Sequence, residues 1–252
     1  SGEKIGCVGR TGAGKSTIIN LLFRLQEIER SGDYGKDAFI KMDETNTLPL
    51  GLHLLRNNIS IIPQTPFMFT GTIRQNLDPI GQFTDEQIWN SLEEVRLKEH
   101  VEKMSHKLDT IVTNASSVFS VGQKQLVCLA RTLLRPCKVL VLDEATANMD
   151  SEIDSFIQKK IMEKFKSATV FTIAHRLSTI ANYDKVLVLD KGIKIEFDEP
   201  YKLLTKNVGD SSLTNPTGHF ASMVMNTGPK TTQRIVDIAR EAYNKKYNIQ
   251  NS

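Results

Sequence analysis

Short apolar runs recur along the chain, and each ends in a glycine, an acid, a glutamine or a histidine. KIGCVG at 4–9 leads into a glycine-rich loop, ISIIPQ at 59–64 ends in Gln64, KVLVLDE at 138–144 ends in acid, and ATVFTIAH at 168–175 ends in His175. Runs that are apolar at every position suit strands covered on both faces, as in a parallel sheet between helices. DAFIKMD at 37–43 reads as a further strand, and KVLVLDKGIKIEF at 185–197 as a hairpin turning at Lys191-Gly192. Helical periodicity alternates with these runs. GKSTIINLLFRL places Ile18, Ile19, Leu22 and Leu25 on one face. Strand-helix alternation of this kind indicates an α/β core.

Between Phe67 and about Pro136 strand signals fade and helices take over. TDEQIWNSLEEV opens with Thr84 and Gln87 at capping-box spacing and sets Ile88, Leu92 and Val95 on one stripe, and QKQLVCLARTLL is a second apolar helix. The expected organisation is a discontinuous core, 1–66 and 137–206, interrupted by a helical block at 67–136. A C-terminal extension, 207–252, follows: a polar loop, KNVGDSSLTNPTG, and then an amphipathic helix carrying Ile235, Ile238, Ala239 and Ala242 on one side.

Composition narrows this only slightly. With 252 residues, 40% hydrophobic and 24% charged, the chain is an ordinary globular protein. A net charge of +3, well mixed, gives no concentrated basic face, so no nucleic-acid partner is expected. Cys7, Cys128 and Cys137 all fall in apolar runs, which reads as reduced core thiols of a cytosolic protein. No apolar stretch approaches the ~18 residues of a membrane span, and no signal peptide precedes the first strand.

The chemistry lies at the ends of the apolar runs. GRTGAGKS, Gly9 to Ser16, fits G-x-x-x-x-G-K-[ST]. Gly9, Gly12 and Gly14 let the backbone wrap phosphate oxygens without Cβ clashes. The exposed amides and the helix that follows present positive charge. Lys15 reaches the β and γ phosphates, and the Ser16 hydroxyl suits Mg²⁺. Asp143 ends an apolar strand, placed to hold Mg²⁺, and Glu144 follows it, placed to orient or deprotonate water. Either acid alone reads equally well as a cap on the next helix. Gln64 and His175 alone are a loop residue and a structural histidine, but both fall at strand carboxyl ends, where parallel α/β sheets bind ligands. FSVGQKQ offers a capping box, Ser120 with Gln123, and the same helix N-terminus is an anion site that Gly122 lets a ligand approach. The spacing does not separate those two readings.

Taken in order (phosphate loop, Gln64, helical insert, SVGQ, LVLDE, ANMD, His175), these motifs resemble the nucleotide-binding cassette of ABC transporters, from Ser1 to about Leu204. GRTGAGKST, GTIRQNLDP, SVGQKQLVCLAR, LDEAT and TIAHRLSTI are most similar to the multidrug-resistance-associated subfamily, subfamily C, and among its cassettes to the second, where the glutamate after LVLD is kept. The resemblance implies an α/β P-loop NTPase fold of RecA-like type with an inserted helical subdomain, ATP and Mg²⁺ as cofactors, and an ATPase powering export. It implies ATP contacts along Gly9, Arg10, Thr11, Gly12, Ala13, Gly14, Lys15, Ser16 and Thr17, with Gln64 sensing the γ-phosphate. Ser16, Gln64 and Asp143 surround the metal, and Glu144, His175 and Lys15 are catalytic. Ser120, Val121, Gly122 and Gln123 would clamp ATP held by a partner cassette, and Ala147, Asn148, Met149 and Asp150 would form the loop between cassettes.

The implied partners are the transmembrane domains of the same transporter and a second cassette, which places the chain at the cytoplasmic face of a membrane. Family members carry an adenine-stacking aromatic and strands of a small antiparallel sheet upstream of the phosphate loop. The chain starts after that point, so the resemblance implies a fragment whose own ATP affinity is weakened, by about 1–3 kcal/mol if the stacking surface is lost. Departures from the pattern are Phe119 where the family has leucine, VTNASSV where it is glycine-rich and acidic, ANMD for a SALD-like loop, and an insertion at Asn207–Pro216. Two other readings remain at this stage: a soluble cassette ATPase acting on DNA or ribosomes, and a module that binds ATP without turnover.

Overall fold

The computed structural model describes residues 2–28, 38–113, 118–143, 151–207 and 209–249. In chain order its elements are β1 (Lys4–Gly9), α1 (Lys15–Leu22), β2 (Lys41–Met42), β3 (Thr45–Asn46), α2 (Leu52–Asn57), β4 (Ile59–Ile62), β5 (Gly71–Thr72), α3 (Ile73–Leu77), α4 (Asp85–Glu94), α5 (Lys98–Glu102) and β6 (Ile111–Val112). They continue as α6 (Val121–Leu134), β7 (Val139–Asp143), α7 (Ser151–Lys164), β8 (Thr169–Ile173), β9 (Lys185–Asp190), β10 (Ile193–Asp198), α8 (Pro200–Leu204), α9 (His219–Met225) and α10 (Pro229–Tyr247).

The main sheet has the order β10-β9-β1-β8-β7-β4, with every pairing parallel except the β9–β10 hairpin. That hairpin turns at Lys191 (φ 48°) and Gly192 (φ 79°), two successive left-handed residues of the kind that join twisted strands tightly. The continuous apolar runs follow from burial on both faces. Cys7, Val141, Phe171 and Ile173 pack with Ile19 and Leu55 of α1 and α2 on one side. Their neighbours in sequence face the other way: Leu140, Leu142 and Val170 meet α6 and α7, and Val8, Val186 and Val188 meet the C-terminal helices. Side chains alternate across a strand, so both alternating sets must be apolar when both faces are covered.

Two expectations change. Helix α1 ends at Leu22 and not at Leu25, which is 64% exposed. Arg24 turns left-handed (φ 48°), and the Leu25 amide bonds back to the Asn20 carbonyl, so the apolar period runs past the point where backbone geometry closes the helix. DAFIKMD supplies only the two-residue β2, paired with β3 in a separate hairpin and not in the main sheet. Three polar or charged residues following β2 leave it little apolar surface to bury.

The segment 67–136 is mainly helical, as its periodicity suggests, with one small β5–β6 pair inside it. Thr84 and Gln87 form the capping box, the Thr84 amide reaching Gln87 Oε1 at 2.9 Å and the Gln87 amide reaching Thr84 Oγ1 at 3.3 Å. Thr72 and Gln75 repeat the device at α3. The Arg74 guanidinium forks onto the Asp85 carboxylate and ties α3 to α4. Ile88, Leu92 and Val95 are buried in one apolar cluster that continues into Ile62, Leu140, Leu142 and Ile157 of the sheet and α7. Phe119 belongs to that cluster, its ring 5.6 Å from the His100 ring, so the substitution for leucine keeps an apolar anchor beside the cap of α6.

At the carboxyl end, α9 and α10 close over β1, β9 and α8, burying Phe220, Val224, Ile235, Val236 and Ala239. Glu199 is the polar fastening. Lys202 Nζ lies 2.7 Å from its Oε2, and Lys246 Nζ (2.6 Å) and the Tyr247 hydroxyl (2.9 Å) donate to its Oε1. Burial alone would push this carboxyl up, but those three donors hold it down to about 2, against an ordinary 4.5. A depressed folded-state pKa gives stability that is complete above the ordinary carboxylate range and is lost as pH falls towards 2. Glu199→Gln is expected to cost about 1.5–3 kcal/mol at neutral pH and to make the acid limb of the stability profile shallower than in the parent. Thermal melts of both proteins between pH 7 and pH 3 measure this. Parallel acid limbs would show that the fastening carries no stability.

Candidate functional site

The turn from β1 into α1 carries the first set of groups. Gly14 caps α1 in a left-handed conformation (φ 99°) that side-chain-bearing residues adopt only under strain, so no Cβ crowds the amides at the helix start. Gly9 lies so close to β9 that an added Cβ would stand 2.4 Å from the Leu189 carbonyl oxygen. The Ala13 amide bonds to the Arg10 carbonyl at 3.0 Å and closes the loop, while the Gly192 amide of the β9–β10 turn bonds to the Ala13 carbonyl. Lys15 folds back along the loop, its Nζ donating to the Gly9 carbonyl at 2.8 Å and the Arg10 carbonyl at 3.2 Å. Arg10, Thr11, Ser16 and Thr17 are exposed around it. Beneath the loop, burial pushes the Cys7 thiol up to about 12, despite the nearby Lys15 charge, so it stays a neutral core group.

Sheet register brings the remaining strand-end residues to the same edge. Ile173 pairs with Cys7 on one side and Asp143 on the other, and Leu142 pairs with Ile62. Gly9, Asp143, Gln64 and His175 therefore all lie at the carboxyl edge, Gln64 and His175 each two residues past a strand. His175 shares a cleft of about 560 Å³ with Arg10, Thr11, Lys15 and Asp190. Glu144 and Ala147 to Asp150 lie outside the described residues. Among the described residues no three His, Cys, Asp or Glu side chains gather as a metal site. A hydroxyl, an amide and a carboxylate from Ser16, Gln64 and Asp143 are the hard oxygen donors that suit Mg²⁺, with the rest of its shell left to phosphate oxygens and water.

The second set lies on α6. Ser120 is its N-cap: the Gln123 amide donates to Ser120 Oγ at 3.2 Å, and the Ser120 amide donates to Gln123 Oε1 at 2.9 Å. The capping-box reading of FSVGQKQ is met, and satisfying these two amides leaves other first-turn N–H groups of α6 beside exposed Ser120 and Val121.

Part of the cleft lining was not legible in the sequence. His219, Ser222 and Asn226, along or just past α9, line it together with Lys15 and His175. Helix α9 has no side-chain cap of its own. Its first amides, of His219 and Phe220, donate to the Glu196 carboxylate at 2.7 and 2.9 Å, from β10. No local pattern signals a cap supplied from 23 residues upstream.

Fold and edge geometry together define a phosphate-loop α/β domain with a helical insertion, of the class that binds nucleoside triphosphates. The ABC transporter family model matches residues 1–147. The chain is 50% identical over 246 residues to ATP-binding cassette sub-family C member 4 of Homo sapiens, covering 98% of this chain and 17% of that protein. It is 47% identical over 241 residues to the probable multidrug resistance-associated protein lethal(2)03659 of Drosophila melanogaster, covering 96% of this chain and 16% of that one. A solved structure titled as a bacterial Atm1-family ABC exporter with ATP bound aligns with TM-score 0.77 and 29% identity over 91% of this chain and 37% of that one. The chain belongs to the ABC transporter family, and its similarity is to the multidrug-resistance-associated type. It spans about a sixth of the length of these curated relatives.

Proposed function

We propose that this chain is the ATP-binding and ATP-hydrolysing cassette of a membrane exporter, acting in an ATP-dependent pair with a second cassette. The observation that carries the reading is the convergence, at one sheet edge, of a glycine loop wrapped around Lys15 with Asp143, Gln64 and His175, while Ser120 and Gly122, at the start of α6, are not among the residues lining the Lys15 cleft. A triphosphate on the loop receives backbone amides on one side only. The opposite wall has to come from another cassette, whose own α6 cap points at this nucleotide, just as this one points at the partner's.

In this reading Gly9 to Thr17 hold the phosphates, and Lys15 neutralises charge that grows on the transferred group. Ser16, Gln64 and Asp143 hold Mg²⁺, which supplies further charge neutralisation when bound. Glu144 accepts a proton from the attacking water, and His175 orients the terminal phosphate. Residues 1–66 and 137–206 serve as the core, 67–136 as the helical subdomain, and Ala147 to Asp150 as the inter-cassette loop. The transmembrane domains of the same transporter are the mechanical partner, at the cytoplasmic face of the membrane. No helix among the described residues is long and apolar enough to cross a membrane.

Calorimetric titration with ATP and Mg²⁺ tests the reading, with sedimentation run in parallel. Binding heat and an ATP-dependent shift from monomer to dimer are expected. A well-folded sample that gives no heat and no shift at saturating nucleotide overturns it.

A further inference from the structure

The segment from Pro63 to Asn76 leaves the sheet, carries Gln64 and enters the helical block. It is held against α6 at two points, by the buried Gln125 and the half-buried Arg131. Gln125, 2% exposed, donates from Nε2 to the Pro63 carbonyl at 2.9 Å, beside Gln64 itself. Six residues further along α6, the Arg131 guanidinium donates to the Phe67 carbonyl at 2.7 Å, to the Asn76 carbonyl and to Asn76 Oδ1 at 3.0 Å. Asn76, wholly buried, completes the fastening: its Nδ2 donates to the Phe69 and Thr72 carbonyls, and its Oδ1 accepts the Phe69 amide. The oxygens bonded to Arg131 here are neutral, and burial draws its pKa down.

Stability does not account for Gln125. Its Oε1 is buried with no hydrogen-bond partner among the described residues. An unsatisfied buried acceptor costs about as much as a single hydrogen bond returns, so a methionine of similar length would fill the same space at little net cost. What glutamine adds is a directional bond from the α6 helix, five residues after the Ser120 cap, to the backbone next to Gln64.

We propose that Gln125 and Arg131 are positioning residues that clasp the Gln64 loop to α6, so that Gln64 and the Ser120 cap move as one rigid unit. Within the reading given above, on which this rests, Gln64 meets the nucleotide of its own cassette and Ser120 meets the nucleotide of the partner. The clasp then makes one body answer to both nucleotides. Displacement of α6 as its cap closes on the partner's phosphates carries Gln64 with it, and the sheet-bound end, Ile62 paired to Leu142, stays behind.

The test uses the full-length transporter containing this cassette, reconstituted in lipid, with Gln125→Met, Gln64→Ala and the double variant. Gln125→Met is expected to lower the maximal ATP turnover about tenfold with the KM for ATP unchanged. Its Tm should stay within about 3 °C of the parent, and adding Gln64→Ala should cause no further loss. Additive losses in the double variant, unchanged turnover in Gln125→Met, or a loss that follows a large fall in Tm would each overturn the clasp. If Gln64→Ala alone hydrolyses ATP normally, the assignment of Gln64 has failed and the clasp falls with it. That failure is visible in the single variant, before the cycle is read.

Discussion

Replacing Glu144 with glutamine is expected to lower ATP turnover by about 10²–10⁴-fold while nucleotide still binds. Glu144 follows Asp143, the last residue of β7, whose register partner Ile173 stands two residues before His175. The chain therefore leaves the sheet after Asp143 at the edge where the phosphate loop begins. Glutamine keeps the size and hydrogen-bonding reach of the side chain but accepts no proton at neutral pH, so what is lost is base catalysis and not shape. Phosphate release measured beside equilibrium nucleotide binding separates the two. Turnover unchanged in Glu144→Gln would remove the carboxylate as the base. Absence of turnover in the parent, with tight binding retained, would favour an ATP-binding module instead.

Most of the nucleotide edge is readable from sequence because a parallel sheet covered on both faces writes itself as uninterrupted apolar runs. The residue that ends each run is then at the ligand-binding edge whatever the strand order. Asp143, Gln64 and His175 could be placed there without knowing that β8 lies between β1 and β7. The order itself is not written locally, since it depends on which crossover helices cover which face. Local period also misleads where backbone geometry ends an element: Leu25 continues the α1 pattern, yet Arg24 has already turned left-handed. The family resemblance assigned roles to Ser120 and Gln64 separately. The bonds that hold the backbone beside Gln64 to α6 come from Gln125 and Arg131, which in sequence are simply two polar positions in an apolar helix. The Glu196 cap that sets α9 beside the cleft is likewise a contact between distant segments, invisible to any window of sequence.

Gly9→Ala is the most damaging single-methyl change expected in the phosphate loop. The motif pattern treats Gly9 as one of three glycines that admit phosphate, but its close contact is with protein. The new Cβ would stand 2.4 Å from the Leu189 carbonyl oxygen and 3.0 Å from the Ala13 Cβ. Neither neighbour yields easily. Leu189 sits in β9, paired to Gly9 in parallel register, and Ala13 is held through its carbonyl by the Gly192 amide. Either β1 and β9 separate at their carboxyl ends, or the loop moves away from β9. Overpacking of this kind costs about 1–3 kcal/mol or more in stability. A loop displaced by about 1 Å misdirects Lys15 and the amides of the helix start, which costs about 10²-fold in turnover. Gly12→Ala provides the control, because among the described residues no atom beyond its own chain neighbours lies within 4 Å of a Cβ built there, although its φ of 79° adds backbone strain. Turnover and thermal stability of the two variants, measured together, decide the matter. If Gly9→Ala is no worse than Gly12→Ala on both, the β1–β9 contact does not set the loop, and the cradle is shaped by backbone freedom alone.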